Sequence, residues 1–141
     1  MKKTFHAHFL FVMLVGALAG LLCLPAIAAE TTGQDMEKFE ARQLWQIFKE
    51  SHNRAEQELV GKTVQIQGVV IETGTSIYLT PNVRLSDTAN GQIYVTCVLP
   101  RSDSGLLSSF RPGEQVTMKG RVYRFSSNEY VVIKESQRVK K

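Results

Sequence analysis

Disulfide chemistry is the first thing this sequence excludes. Cysteine occurs twice in 141 residues, as Cys23 and Cys97. Cys23 lies in an apolar N-terminal run, which leaves Cys97 alone in the rest of the chain, so no internal bridge can form there. The chain must be held by its core instead. Catalytic signatures are also missing: there is no Gly-x-Ser-x-Gly, no phosphate loop and no HExxH. Histidine is scarce: His6 and His8 fall in the N-terminal run, and His52 has no Cys or carboxylate cluster around it at metal-ligand spacing. These absences point away from an enzyme and from a metal site, and nothing calls for a cofactor. Charge of one sign is not in excess either. The formal net charge is +4, too mild to announce a polyanion binder by itself.

Long hydrophobic runs are limited to one, residues 9–24, which is short for a bilayer span. Lys2 and Lys3 precede it, and Pro25-Ala26-Ile27-Ala28-Ala29 follows. A positive start, an apolar middle and an A-x-A arrangement describe a secretory leader over residues 1–28, cut after Ala28, with Ala29 the close alternative. Membrane contact is then expected only through this leader before cleavage. Leu22 stands where a lipid-attachment site would carry a small residue, so Cys23 is read as part of the leader. Loss of Lys2 and Lys3 lowers the net charge from +4 to +2. The remaining chain belongs to the periplasm or the secreted fraction.

What is present is periodic. Residues 29–35 form a polar linker ending in Asp35, a helix-capping residue. Ala41, Leu44, Phe48, Ala55 and Leu59 then recur at helical spacing, predicting one amphipathic helix over 36–60 that Gly61 stops. From Gly61 the period changes to two. Strands are expected at 62–72, 76–86, 92–99, 115–125 and 129–136, with a turn at 73–75, an Asn90-Gly91 turn, and a short helix within 102–110. Pro81 predicts a bulge or an edge in the second strand. Residues 137–141 read as a frayed basic tail. Residues 119–141 hold seven basic side chains against Glu129 and Glu135.

One phrase occurs twice. Residues 61–70 read GKTVQIQGVV and residues 113–122 read GEQVTMKGRV. Gly61, Gly68, Gly113 and Gly120 hold the same places in each, with Val and Ile or Met in phase. A glycine inside a strand marks a bulge or sharp bend. The order helix, then β-β-β-α-β-β, matches a mainly β fold: a five-stranded OB-fold Greek-key barrel over 61–136, preceded by an amphipathic helix. Strands one and four would be the long, bent ones, curving at Gly68 and Gly120.

The run ARQLWQIFKESHNRAEQELVGKTVQIQGVV resembles the start of the bacterial OB-fold family called tRNA-anti-like. IYVTCVL resembles its third strand and RPGEQVTMKGRV its fourth. The resemblance covers residues 41–136. It implies kinship with anticodon-binding OB domains and implies no catalytic residue.

OB-folds bind across strands two and three, with the one–two and four–five loops as rims. Single-strand binders place aromatics there for stacking and cations for phosphate. The candidates are Tyr78, Arg84, Tyr94 and Arg101, together with Lys119, Arg121, Tyr123 and Phe125. If Val116, Met118 and Val122 face inward, the last four form one outward stripe. A bulge at Gly120 would flip that alternation, and the same aromatics could instead cover the leading helix or close the barrel end. Cys97 falls in the inward set of its strand, where a thiol acts as a small hydrophobe.

Two functions fit. One is an exported, non-enzymatic binding module taking single-stranded nucleic acid or another anionic oligomer. The other is an envelope adaptor that docks on a protein through a barrel edge. For either, N-terminal sequencing of the exported chain should begin at Ala29 or Glu30. A chain retaining residues 9–24 would refute the leader assignment.

Overall fold

The computed structural model describes residues 36–140. The leader predicted over residues 1–28, the linker predicted over 29–35 with its Asp35 cap, and Lys141 lie outside them. Among the described residues, β1 is Lys38–Glu40, α1 Ala41–Glu50, α2 His52–Leu59, β2 Thr63–Thr75, β3 Pro81–Ser86 and β4 Val95–Val98. A 3-10 helix follows at Arg101–Ser109, then β5 Gln115–Ser126 and β6 Tyr130–Arg138. The strands β2 to β6 pair in the order β2-β3-β4-β6-β5, and β5 returns to β2. All pairs are antiparallel except β4 with β6. This closed, five-stranded mixed barrel is the expected OB-fold.

The twice-written phrase explains the closure. The two copies pair with each other, antiparallel and centred on themselves: Val64 faces Gly120, Ile66 faces Met118 and Gly68 faces Val116. Their ends are locked reciprocally. The Gly61 N–H donates to the Val122 carbonyl at 2.8 Å, and the Gly113 N–H donates to the Val70 carbonyl at 2.7 Å. The Val122 N–H returns a bond to Lys62, and the Val70 N–H one to Glu114. Gly61 and Gly113 have φ of +89° and +85°, a region a side chain strains. Each copy therefore opens with a left-handed glycine that starts the partner's ladder.

The mid-strand glycines act by close approach. Opposite Gly120 the β5–β6 register slips, but the extra residue is on β6, where Glu135 has φ 54°, and β5 keeps its alternation through the glycine. A Cβ there would lie 2.5 Å from Ile133 Cγ2 and 2.9 Å from the Lys134 carbonyl. Gly68 is not at a bulge. The β2–β3 register slips further on, between Val70 and Glu72. Gly68 precedes Val69, the residue at which β2 passes from β5 to β3. A Cβ at Gly68 would lie 3.0 Å from the Ser86 carbonyl and 3.1 Å from Ala41 Cβ.

Other boundaries differ from those predicted, and β4, expected at 92–99, is only Val95–Val98. The single helix is divided, because its first residues add to the sheet as β1, parallel to β2. Ser51 then interrupts it with φ −139° and ψ 54°. All five predicted core positions on it are nevertheless buried: Ala41, Leu44, Phe48, Ala55 and Leu59. The strand expected at 76–86 begins only at Pro81, and β2 runs through the expected turn to Thr75. Local polarity placed the turn at Thr73-Gly74-Thr75, but Gly74 pairs with Asn82 across the ladder. The tail is ordered further than expected. β6 reaches Arg138, whose guanidinium bonds the Glu114 carboxylate and the Ser109 carbonyl and lies over the Phe110 ring.

The core is apolar throughout. Val64, Ile66, Val70, Val83, Leu85, Val95, Met118, Val122 and Ile133 fill the barrel. Phe48 closes it against Phe125, with ring centroids 5.7 Å apart.

Gly120→Ala is expected to destabilise by about 2–3 kcal/mol, since backbone and core must both shift, and Gly68→Ala by about 1 kcal/mol. Gly61→Ala has open space but a positive φ, and should cost about 1–2 kcal/mol. Urea midpoints of the three variants measure this order. Equal or negligible losses would contradict the close-approach account.

Candidate ligand-binding cleft

The outer face of β3 and β4 is built from residues that alternate with the core. Val83 and Leu85 point in, so Arg84 points out, and its register partner on β4 is Thr96. Arg84 is ion-paired with Glu72 of β2. Helix α1 rises beside this face. Arg42, Trp45 and Lys49, at i, i+3 and i+7, lie on one side of the helix, and each reaches a loop. Arg42 pairs with Asp87 at 3.3 Å. The Trp45 Nε1–H donates to the Glu129 carbonyl at 2.8 Å. Lys49 Nζ donates to the Asn128 carbonyl at 3.4 Å and stands 5.9 Å from the Trp45 ring centroid.

The β5–β6 turn that receives two of these contacts is tight. Of the three residues between β5 and β6, Ser127 and Asn128 both have positive φ, 51° and 57°. Glu129 closes it with a bond to the Ser126 carbonyl at 2.9 Å.

Between helix, turn and sheet lies a cleft of about 530 Å³. Trp45 and Tyr130 supply aromatic surface, Lys49 and Arg84 positive charge, and Gln92 and Asn128 amides. A rigid, partly apolar hollow with a few polar groups is what a small ring system needs. The volume is in the range of single-ligand pockets.

The predicted site residues are scattered. Only Arg84 is in the cleft. Tyr78 is at the tip of the β2–β3 turn and Arg101 at the start of the 3-10 helix, both exposed. Tyr94 and Phe125 are core residues, which corrects their placement on an open surface. Tyr94 packs on Trp45, centroids 5.1 Å apart. Phe125 turns inward because a second register slip, between Val122 and Arg124, reverses the alternation. The outward stripe on β5 is therefore shortened to Lys119, Arg121 and Tyr123. Arg121 pairs with Glu135 at 2.7 Å, and Lys134 Nζ sits 3.4 Å above the Tyr123 ring. That side chain is 44% exposed, but its face is already occupied.

The cleft residues Trp45, Lys49, Gln92, Asn128 and Tyr130 escaped the sequence reading. The spacing of Arg42, Trp45 and Lys49 is a signal that could have shown three of the helix contacts. Their juxtaposition with β4 has no local signature. The ring of His52 lies 5.8 Å from that of Phe125, and its Nε2 is 3.5 Å from Glu56. Among the described residues no group of three His, Cys, Asp or Glu could hold a metal ion, and no helix is long and apolar enough to cross a membrane.

Comparison with known proteins agrees with this architecture. The family model tRNA_anti-like matches residues 1–137. The chain belongs to the tRNA-anti-like family. No curated protein sequence matches it. Among solved structures, the chain is similar to a candidate nucleic acid-binding lipoprotein of Klebsiella pneumoniae, with 20% identity and a TM-score of 0.62, covering 74% of this chain and 92% of that one. Weaker likenesses include RecG bound to a three-way DNA junction, at 16% identity and a TM-score of 0.48 over 74% and 13% of the two chains. An OBody bound to hen egg-white lysozyme matches at 18% identity and a TM-score of 0.42, over 58% and 84%. At these identities the likenesses concern the fold.

One buried nucleophile needs separate mention. Cys97 points into the barrel, and burial pushes its thiol up to about 12, with a hydrogen bond from Ser136 opposing the rise. The folded state therefore keeps the proton that the unfolded thiol loses at its ordinary value near 9.0. This contribution to stability is complete below pH 9 and fades as pH climbs towards 12. Cys97 should react with a thiol reagent at pH 8 only on unfolding. Over pH 9 to 11, wild type should lose stability faster than Cys97→Ala in urea melts. Rapid labelling of native protein, or parallel pH profiles, would contradict the buried placement.

Proposed function

We propose that this chain is an exported, non-enzymatic binding module that takes single-stranded nucleic acid, or a similar anionic oligomer carrying rings, at the cleft between α1 and the β3–β4 face. The observation that carries this reading is the pairing of two aromatics, Trp45 and Tyr130, with two cations, Arg84 and Lys49, around one hollow. A base needs a ring to stack on, and its phosphates need nearby positive charge. The strong binding seen in single-strand binders comes from these two terms together. Family membership supports the reading, as does the leader predicted over residues 1–28. The face used is the one OB-folds commonly use. Catalysis has no support, since no nucleophile with an adjacent base lines the hollow.

Trp45 is the chain's one tryptophan, so its fluorescence reports directly on the cleft. Titration of the protein with a twelve-residue oligothymidylate should quench it. Affinity should fall steeply with salt, and Lys49→Ala and Arg84→Ala should each lower the log–log salt slope by about 1. Inorganic polyphosphate should compete without the same quenching. Unchanged fluorescence and no binding at low salt would remove this function and leave the envelope adaptor in its place.

A further inference from the structure

The β2–β3 turn presents a second surface, one unconnected with the cleft. Beyond the last ladder pair, Thr75 with Pro81, the chain projects Ile77, Tyr78 and Leu79. These are 89%, 71% and 75% exposed. Soluble surfaces carry isolated apolar side chains routinely, but three consecutive ones at the tip of a turn call for an explanation.

Three features of the turn bear on what would cover it. No charged residue occurs from 73 to 83, so nothing near the tip resists leaving water. Four of the turn's backbone N–H groups are bonded within it. Ser76 N–H donates to the Thr80 carbonyl at 3.0 Å and Leu79 N–H to the Ser76 carbonyl at 2.9 Å. Tyr78 and Thr80 N–H both donate to Ser76 Oγ, at 3.2 and 3.3 Å, and that hydroxyl donates to Thr80 Oγ1 at 3.1 Å. Groups bonded in this way need no partner on leaving water, and the carbonyls of the tip itself stay within reach of water and headgroups at the polar boundary of a bilayer. Finally, Leu99 N–H bonds the Pro81 carbonyl at 2.9 Å. Arg101, two residues on, is thereby held near the base of the turn. It is exposed and makes no ion pair among the described residues.

We propose that the Ile77-Tyr78-Leu79 tip inserts into the surface of an anionic lipid bilayer, with Arg101 at headgroup level. Ile77 and Leu79 enter the acyl boundary. Tyr78, apolar in body and polar at its hydroxyl, takes the interfacial position that amphipathic rings prefer. Arg101 meets the lipid phosphates. Charge is thus matched at the depth where it is tolerated, and apolar surface lies beyond it. Membrane contact is then a property of the folded barrel as well as of the leader.

The test uses a chain beginning at Glu30, which keeps the whole barrel and lacks the apolar leader. It should co-sediment with vesicles of phosphatidylglycerol and phosphatidylethanolamine. Ile77→Ser with Leu79→Ser should weaken this by about tenfold or more for each side chain removed, with the thermal melt unchanged. Arg101→Gln should weaken binding to the anionic vesicles and leave binding to pure phosphatidylcholine as it was. In a Trp45→Phe, Tyr78→Trp chain, emission should shift to the blue on adding vesicles. Failure of the folded chain to co-sediment would overturn the proposal, as would unaltered binding by the double serine variant. So would self-association that the same substitutions abolish, since a second copy would then be the occupant. Oligonucleotide binding, read from Trp45 in the unaltered chain, is unaffected by any of these outcomes.

Discussion

The hydrogen-bonded ribbon between the two copies of one phrase holds this barrel shut. Each copy supplies a left-handed glycine whose N–H meets the far end of the other copy. Each supplies inward Val and Ile or Met side chains to the same core. Because the pairing is reciprocal, one register satisfies both ends. A slip by a single residue would turn Ile66 and Met118 to solvent and break both terminal bonds. The glycines then let the ribbon be approached closely: Ala41 and β3 come against Gly68, and β6 comes against Gly120. The short strand β1 pairs with β2 at Gln65 to Gln67, on the stretch before β3 joins it.

Given a closed barrel, the helix has few places to go. Its apolar stripe must be buried, and Phe48 meets Phe125 at the barrel's end. Burial of that stripe turns the neighbouring face, with Arg42, Trp45 and Lys49, towards the loops and the β3–β4 surface. The cleft therefore results from how the helix packs, and its polar contacts fix the helix rather than create its position. Aromatic side chains sort accordingly. Tyr94 and Phe125 serve the interior, while Trp45 and Tyr130 stand at the boundary, each with one side left to the hollow.

Period and turn chemistry reveal much of this in the sequence. Ala41, Leu44, Phe48, Ala55 and Leu59 share a helical face and are all buried. The repeat marks the two long strands, and Cys97 falls inward as its alternation requires. What escapes is whatever depends on a register slip or on distant packing. Phe125 is placed outside by strict alternation, but the bulge in β5 between Val122 and Arg124 brings it in. The β2–β3 turn is misplaced by a few residues because Thr73-Gly74-Thr75 is as polar as a turn, whereas the actual turn is Ile-Tyr-Leu at its centre. Local composition follows burial, and this turn is not composed for water. The site is less legible than the fold for the same reason: of eight candidate residues, only Arg84 lines the hollow. The others were chosen by strand position, and the hollow is shaped by a helix that precedes all five barrel strands.

The β5–β6 hairpin and the β2–β5 ribbon use the same kind of bond at very different separations along the chain. Three residues, Ser127 to Glu129, join the first, whereas the second spans β3, β4 and the 3-10 helix. Bringing distant segments together costs more chain entropy than bending a short one. The hairpin can be made locally and cheaply, and the ribbon bears the heavier topological cost. The element that completes the circle is thus the one least able to form alone.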